Sequence, residues 1–124
     1  MASILLVDDN DELRAIVERG LKAAGHDVVA ARDGKSALAL LPAVKYDIVL
    51  TDIVMPDIEG LELIRSIRKM NPAAKIVAMS GGGRGTAENY LVLAKNFGAV
   101  ATIEKPFQLA ALVKTLDSVL GPTN

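Results

Sequence analysis

Four apolar runs in this chain each stop at a residue that can do chemistry. Ile4-Leu5-Leu6-Val7 stops at Asp8-Asp9, and the run from Tyr46 to Leu50 stops at Thr51-Asp52. Ile76-Val77-Ala78-Met79 stops at Ser80, and the run from Val100 to Ile103 stops at Glu104-Lys105. A fifth run, His26 to Ala31, ends in Arg32-Asp33-Gly34, which is turn chemistry. Brought to one place, three carboxylates repel one another, and each disfavours ionisation of the next. A divalent cation removes that conflict. Mg2+ suits oxygen ligands at roughly 2.0–2.1 Å. The chain has no Cys, and its single His lies away from these stops, so nothing favours zinc or copper. A carboxylate can also act as a nucleophile and carry an acyl phosphate. A cation, an ammonium and a hydroxyl neutralise charge on a transferring phosphoryl group. The set has the parts for moving a phosphoryl group onto one Asp.

These residues need elements that bring them together. Apolar runs alternate with amphipathic stretches along the whole chain. A helix capped by Asn10 or Asp11 carries Leu13, Ile16, Val17, Gly20, Leu21 and Ala24 on one face, and Gly25 ends it. A short helix with Ala37, Leu38 and Leu41 stops near Pro42. A third, with Leu61, Ile64, Ile67 and Met70, stops at Asn71-Pro72. A fourth runs from Thr86 to Phe97 and ends at Gly98, and a fifth holds Leu109, Leu112, Val113, Leu116 and Leu120. Fully apolar runs suit strands covered on both faces. Five strand–helix repeats predict an open α/β fold: a five-stranded parallel sheet with five helices on both faces. In such sheets ligands bind outside the carboxyl ends of the strands, where the four stops fall.

Composition narrows the classes. The chain has 124 residues, enough for one domain. It is 51% hydrophobic but 3% aromatic, so the core is aliphatic and the chain is not disordered. A net charge of -1 argues against direct nucleic-acid binding. The absence of Cys excludes disulfides and thiolate sites. No apolar run reaches the ~20 residues a membrane helix needs, and the first residues lack the features of a signal peptide. A cytoplasmic domain without membrane contact is expected. The Gly81 to Gly85 run lacks the Gly-Lys-Ser/Thr ending of a P-loop. His26 reads as structural.

At these residues the chain resembles the receiver domain of two-component response regulators. The resemblance rests on Ile4 to Asp9, Asp47 to Pro56, Met79-Ser80-Gly81 and Glu104-Lys105-Pro106-Phe107, in order, each at a strand end. It implies a flavodoxin-like, doubly wound domain over residues 1–120, followed by a short tail, 121–124, with no output domain. It implies that Asp52 is the phosphoacceptor, taking a phosphoryl group from a histidine kinase or phosphotransfer protein. Asp9, Asp52 and the backbone carbonyl of Val54 would bind Mg2+, with Asp8 acting through a metal-bound water. Ser80 and Lys105 would contact the phosphoryl oxygens, and the Lys105-Pro106 bond would be cis. The protein would be a phosphorylation-dependent signalling switch and no turnover enzyme. The switch would change partner binding through the face around the fourth helix, fifth strand and fifth helix. The downstream partner would be a protein target or an output domain outside this chain.

Three positions depart from the commonest pattern. Thr102 stands where receivers often carry Tyr or Phe, so transmission by a swinging ring is not expected. Val54 and Gly82 occupy the two variable positions and carry no acid, so self-dephosphorylation is expected to be slow. Tyr90 to Ala94 is apolar round more than one face, which fits deep packing better than a contact patch. Two other functions compete. A hydrolase of the haloacid dehalogenase type needs a second Asp two residues after the nucleophile, where this chain has Val54. A receiver-like adaptor would act by protein contact without phosphorylation.

Overall fold

The computed structural model of the chain describes residues 2–42, 45–53, 60–80, 92 and 94–121. The elements alternate. β1 (Ser3–Val7), α1 (Asp11–Ala23), β2 (Asp27–Ala31) and α2 (Gly34–Leu40) come first. β3 (Ile48–Asp52), α3 (Gly60–Met70) and β4 (Lys75–Ser80) follow. Then come α4, helical at residue 92 and over residues 94–97, β5 (Ala101–Glu104) and α5 (Leu109–Leu120).

All four strand pairings are parallel, in the order β2-β1-β3-β4-β5. The chain builds outward from β1 to β2, then crosses to β3 on the other side. The switch point therefore lies between β1 and β3, which pair with Leu5 opposite Val49. The period-two geometry of a strand divides each apolar run between two cores. Ile4, Leu6, Ile48, Leu50, Val77 and Met79 face Val17 and Leu21 of α1 and Leu112 and Leu116 of α5. Leu5, Val7, Val49, Ile76 and Ala78 face Ala37 of α2, Leu63, Ile64 and Ile67 of α3, and Ala94 of α4. Both faces of the sheet are covered, which is why its central strands carry no polar alternation.

Helix ends follow local chemistry. The Asn10 side chain accepts from the N–H of Leu13 at 3.0 Å and caps α1, and Asp33 caps α2 by accepting from Ser36 at 2.7 Å. Gly98 closes α4 at φ 121, its N–H donating to the carbonyls of Ala94 and Lys95. The last turn of α5 has no basic residue of its own. Lys75, at the start of β4, supplies the cation by donating to the Val119 carbonyl at 2.9 Å.

Several expectations shift. Tyr46 and Asp47 precede β3, where the Tyr46 hydroxyl donates to the Leu40 carbonyl and Asp47 accepts from the N–H of Ser3. His26 and Val100 also fall just outside their strands. Ile16 is 56% exposed, so the buried stripe of α1 is narrower than its spacing predicts. Val92 is 57% exposed while Ala94 is buried, so α4 is not packed all round. The Gly81 to Gly85 run and Tyr90, Leu91 and Leu93 lie outside the described residues. No helix among the described residues is long and apolar enough to cross a membrane.

Candidate functional site

The site lies at the carboxyl edge of the sheet, over the switch point. Asp8 follows β1, Asp52 ends β3, Ser80 ends β4, and Lys105 follows β5. Backbone bonds lock these ends side by side. Asp8 donates its N–H to Ala31 at 3.1 Å, Ile53 to Met79 at 3.1 Å, and Lys105 to Ser80 at 2.9 Å. The Lys105-Pro106 bond that follows is cis.

Asp8 and Asp52 are buried, at 1% and 6% exposure, and Asp9 is exposed. One carboxylate oxygen from each of the three lies within 4.8 Å of the others. Two such charges below a protein surface need a partner. Lys105 Nζ provides it, donating to Asp8 Oδ2 at 2.8 Å and to Asp52 Oδ2 at 2.9 Å. Burial pulls the Lys105 ammonium down. The hydrogen bonds and negative charges of Asp8 and Asp52 outweigh that and hold it above the ordinary lysine value. The second oxygen of Asp8 accepts the N–H of Asn10 at 2.8 Å.

Ser80 is fully buried, and its Oγ has no hydrogen-bond partner among the described residues. A buried hydroxyl left without a partner costs stability. Thr51, on the neighbouring β3 opposite Ala78, is different. Thr51 is buried too, but its hydroxyl donates to the Asp52 carbonyl at 2.9 Å.

Asp8, Asp9, Asp52 and Lys105 are thus brought together, and Ser80 sits on the strand beside Asp52. Val54 and Gly82 lie outside the described residues. Thr102 pairs with Ala78 and is partly exposed, on the opposite face of β5 from Ala101 and Ile103, which pack under α5. His26 is remote from the cluster and accepts the N–H of Ala2 through Nδ1 at 3.2 Å. Sequence reasoning missed Arg14, whose guanidinium donates to the Asp8 carbonyl at 2.8 Å and to Asp11 at 2.7 Å. The available signal was its spacing, one helical turn beyond Asp11 and close to the acidic pair.

The donor set fits a hard cation. All three side chains offer carboxylate oxygen, and their closeness leaves a charge conflict that an ion would relieve.

Comparison with known proteins gives a consistent result. The sequence profile of the response regulator receiver domain matches residues 4–117. The chemotaxis protein CheY of Thermotoga maritima is 34% identical over 117 residues, covering 94% of this chain and 95% of that protein. The DNA-binding transcriptional regulator NtrC of Azospirillum brasilense is 33% identical over 123 residues, 97% of this chain. The chain spans only 24% of the length of that regulator. Among solved structures, a CheY-like receiver domain protein from Methanospirillum hungatei superposes with a TM-score of 0.88. It is 28% identical and covers 97% of this chain and 94% of that one.

Proposed function

Since this chain belongs to the response regulator receiver family, whose domains are signalling switches and not turnover enzymes, we propose that it accepts a phosphoryl group on Asp52. The carboxylate attacks the phosphorus of a phosphohistidine on a histidine kinase or phosphotransfer protein. An O–P bond forms, the N–P bond breaks, and the imidazole leaves with the electron pair and takes up a proton. Four residues carry this reading: Lys105, whose ammonium bonds Asp52, the Asp8–Asp9 pair beside it, and Ser80 on the neighbouring strand, whose buried hydroxyl has no partner among the described residues.

Asp9 and Asp52 would hold Mg2+, and when bound it would neutralise charge on the transferring group. Asp8 is suited to an outer role through a water, because both of its oxygens already accept hydrogen bonds. The Val54 carbonyl would complete the set. Lys105 is already charged and placed, so it can pair with a phosphoryl oxygen without recruitment from solvent. Ser80, whose hydroxyl has no partner among the described residues, would donate it to another phosphoryl oxygen in the phosphorylated state. That difference between the two states is what lets phosphorylation shift a conformational equilibrium. Thr102 cannot act as a ring, so the shift would pass through the Ser80 and Lys105 ends of β4 and β5. The exposed Val92 and Val100 support a partner-binding face around α4, β5 and α5.

The experiment is labelling with a small acyl phosphate or phosphoramidate donor in the presence of Mg2+. Stable label on the wild type, lost with chelator and in Asp52→Asn, is the expected result. Persistence of that label over many minutes would agree with slow self-dephosphorylation. A wild-type chain that takes no label from these donors or from a phosphorylated kinase is an adaptor acting by contact alone.

A further inference from the structure

We propose that Arg14 is a positioning residue that fixes the geometry of the Asp8–Asp9 pair and thereby sets the Mg2+ affinity of the site. The inference rests on reading Asp8, Asp9 and Asp52 as a cation site. Its physical basis is the backbone between the two acids. The Arg14 guanidinium uses two nitrogens in two directions, Nη1 to the Asp8 carbonyl at 2.8 Å and Nη2 to Asp11 Oδ1 at 2.7 Å. Its side chain is only 20% exposed, whereas that of Asp11 is 83% exposed. A solvated surface ion pair would leave both partners in water.

The carbonyl it holds matters. The Asp8 carbonyl belongs to the planar peptide unit that ends at the Asp9 Cα. Pinning that oxygen pins the plane, and with it the N–Cα bond of Asp9 from which its side chain branches. Asp9 needs such help, because no hydrogen bond among the described residues holds its carboxylate. The rest of the turn is already closed. Asp8 Oδ1 accepts from Asn10, Asn10 caps Leu13, and the Arg14 N–H donates to the Asn10 carbonyl at 2.9 Å. Arg14 adds the bond that ties the first turns of α1 back to the end of β1.

A second cation beside a cation site gives the proposal a sign. By charge alone, Arg14 repels Mg2+, so removing it would tighten binding. By positioning, removing it loosens binding. Lysine keeps the charge but lacks the planar fork that serves two acceptors at once. Supporting residues of metal ligands typically change affinity by about 10–100-fold.

The test is Mg2+ binding by isothermal titration calorimetry on the full chain without phosphodonor, for wild type, Arg14→Met and Arg14→Lys. Circular dichroism in chelator verifies that each is folded. The expected result is a loss of about tenfold in both variants. A matching rise is expected in the Mg2+ concentration that half-saturates labelling of Asp52. Unchanged or tighter binding in Arg14→Met overturns the proposal. If Arg14→Met does not fold, Arg14→Lys decides alone, and wild-type affinity in that variant overturns the role of the fork. A wild-type chain that gives no Mg2+ heat at millimolar concentration fails earlier, and rejects the cation site itself along with this inference.

Discussion

Lys105 and Asp8 stand 97 positions apart in the chain and 2.8 Å apart in space. The same ammonium reaches Asp52, so one cation bonds two buried carboxylates, one just after β1 and one at the end of β3. Removing one partner of a buried ion pair leaves uncompensated charge, and that is more damaging than the net worth of the pair. Lys105→Met is expected to lower stability by about 3 kcal/mol in urea unfolding with chelator present. Mg2+ should restore more stability to this variant than it adds to the wild type, because an ion replaces the lost charge. Equal effects of Mg2+ on both would count against a shared location.

The same contact fixes a pH dependence. The folded protein holds Lys105 above its ordinary value of 10.5. Its contribution is therefore fully present below that value in the unfolded chain, and is lost as the pH rises through the higher folded value. The stability gap between wild type and Lys105→Met should be flat around neutral pH and shrink only in strong alkali. Urea midpoints measured across the alkaline range would reveal it. A gap that closes below pH ~9 would contradict the ion pair.

Ser80 offers a trade between stability and function. Its buried Oγ has no partner among the described residues, and an unpaired buried hydroxyl costs about 1–3 kcal/mol. Ser80→Ala is expected to raise stability by about 1 kcal/mol in chelator. The same change should slow labelling of Asp52. A variant that is less stable and labels normally would show that the hydroxyl serves the fold.

Gly98 is constrained twice. Its φ of 121 disfavours any side chain, at about 1–2 kcal/mol, and Arg68 packs over the place a Cβ would take. Arg68 also donates to the Phe97 carbonyl at 3.2 Å, closing the end of α4. Gly98→Ala should destabilise the chain by more than the backbone cost alone. In an Arg68→Ala background the backbone cost should remain while the steric part vanishes. Comparing the two by thermal unfolding separates strain from clash.

Much of this was legible in the residues. Ile4 and Leu6 against Leu5 and Val7 show how a covered strand divides itself between two cores. The acids, the serine and the lysine all fall where apolar runs stop. Strand order was not legible in the same way, because an apolar run does not encode its neighbour. The β2-β1-β3-β4-β5 order sets the ends of β1 and β3 side by side, where Lys105 reaches both Asp8 and Asp52. Ile16 misled because it shares a helical face with Leu13 by spacing, while only Val17 and Leu21 of α1 are fully buried. Arg14 was missed because long cations are read as solvated, and its main acceptor is a backbone carbonyl that no side-chain pattern reveals.

The lysine's place in the chain has a consequence for the order in which the protein is made. Asp8 and Asp52 emerge from the ribosome well before residue 105. β5 lies at the edge of the sheet, and its lysine reaches back past β4 and β3 to the acid at the end of β1. Until that last strand docks, the two carboxylates face one another without their ammonium. A chain interrupted before residue 105 carries both acids but lacks the ammonium that bonds them.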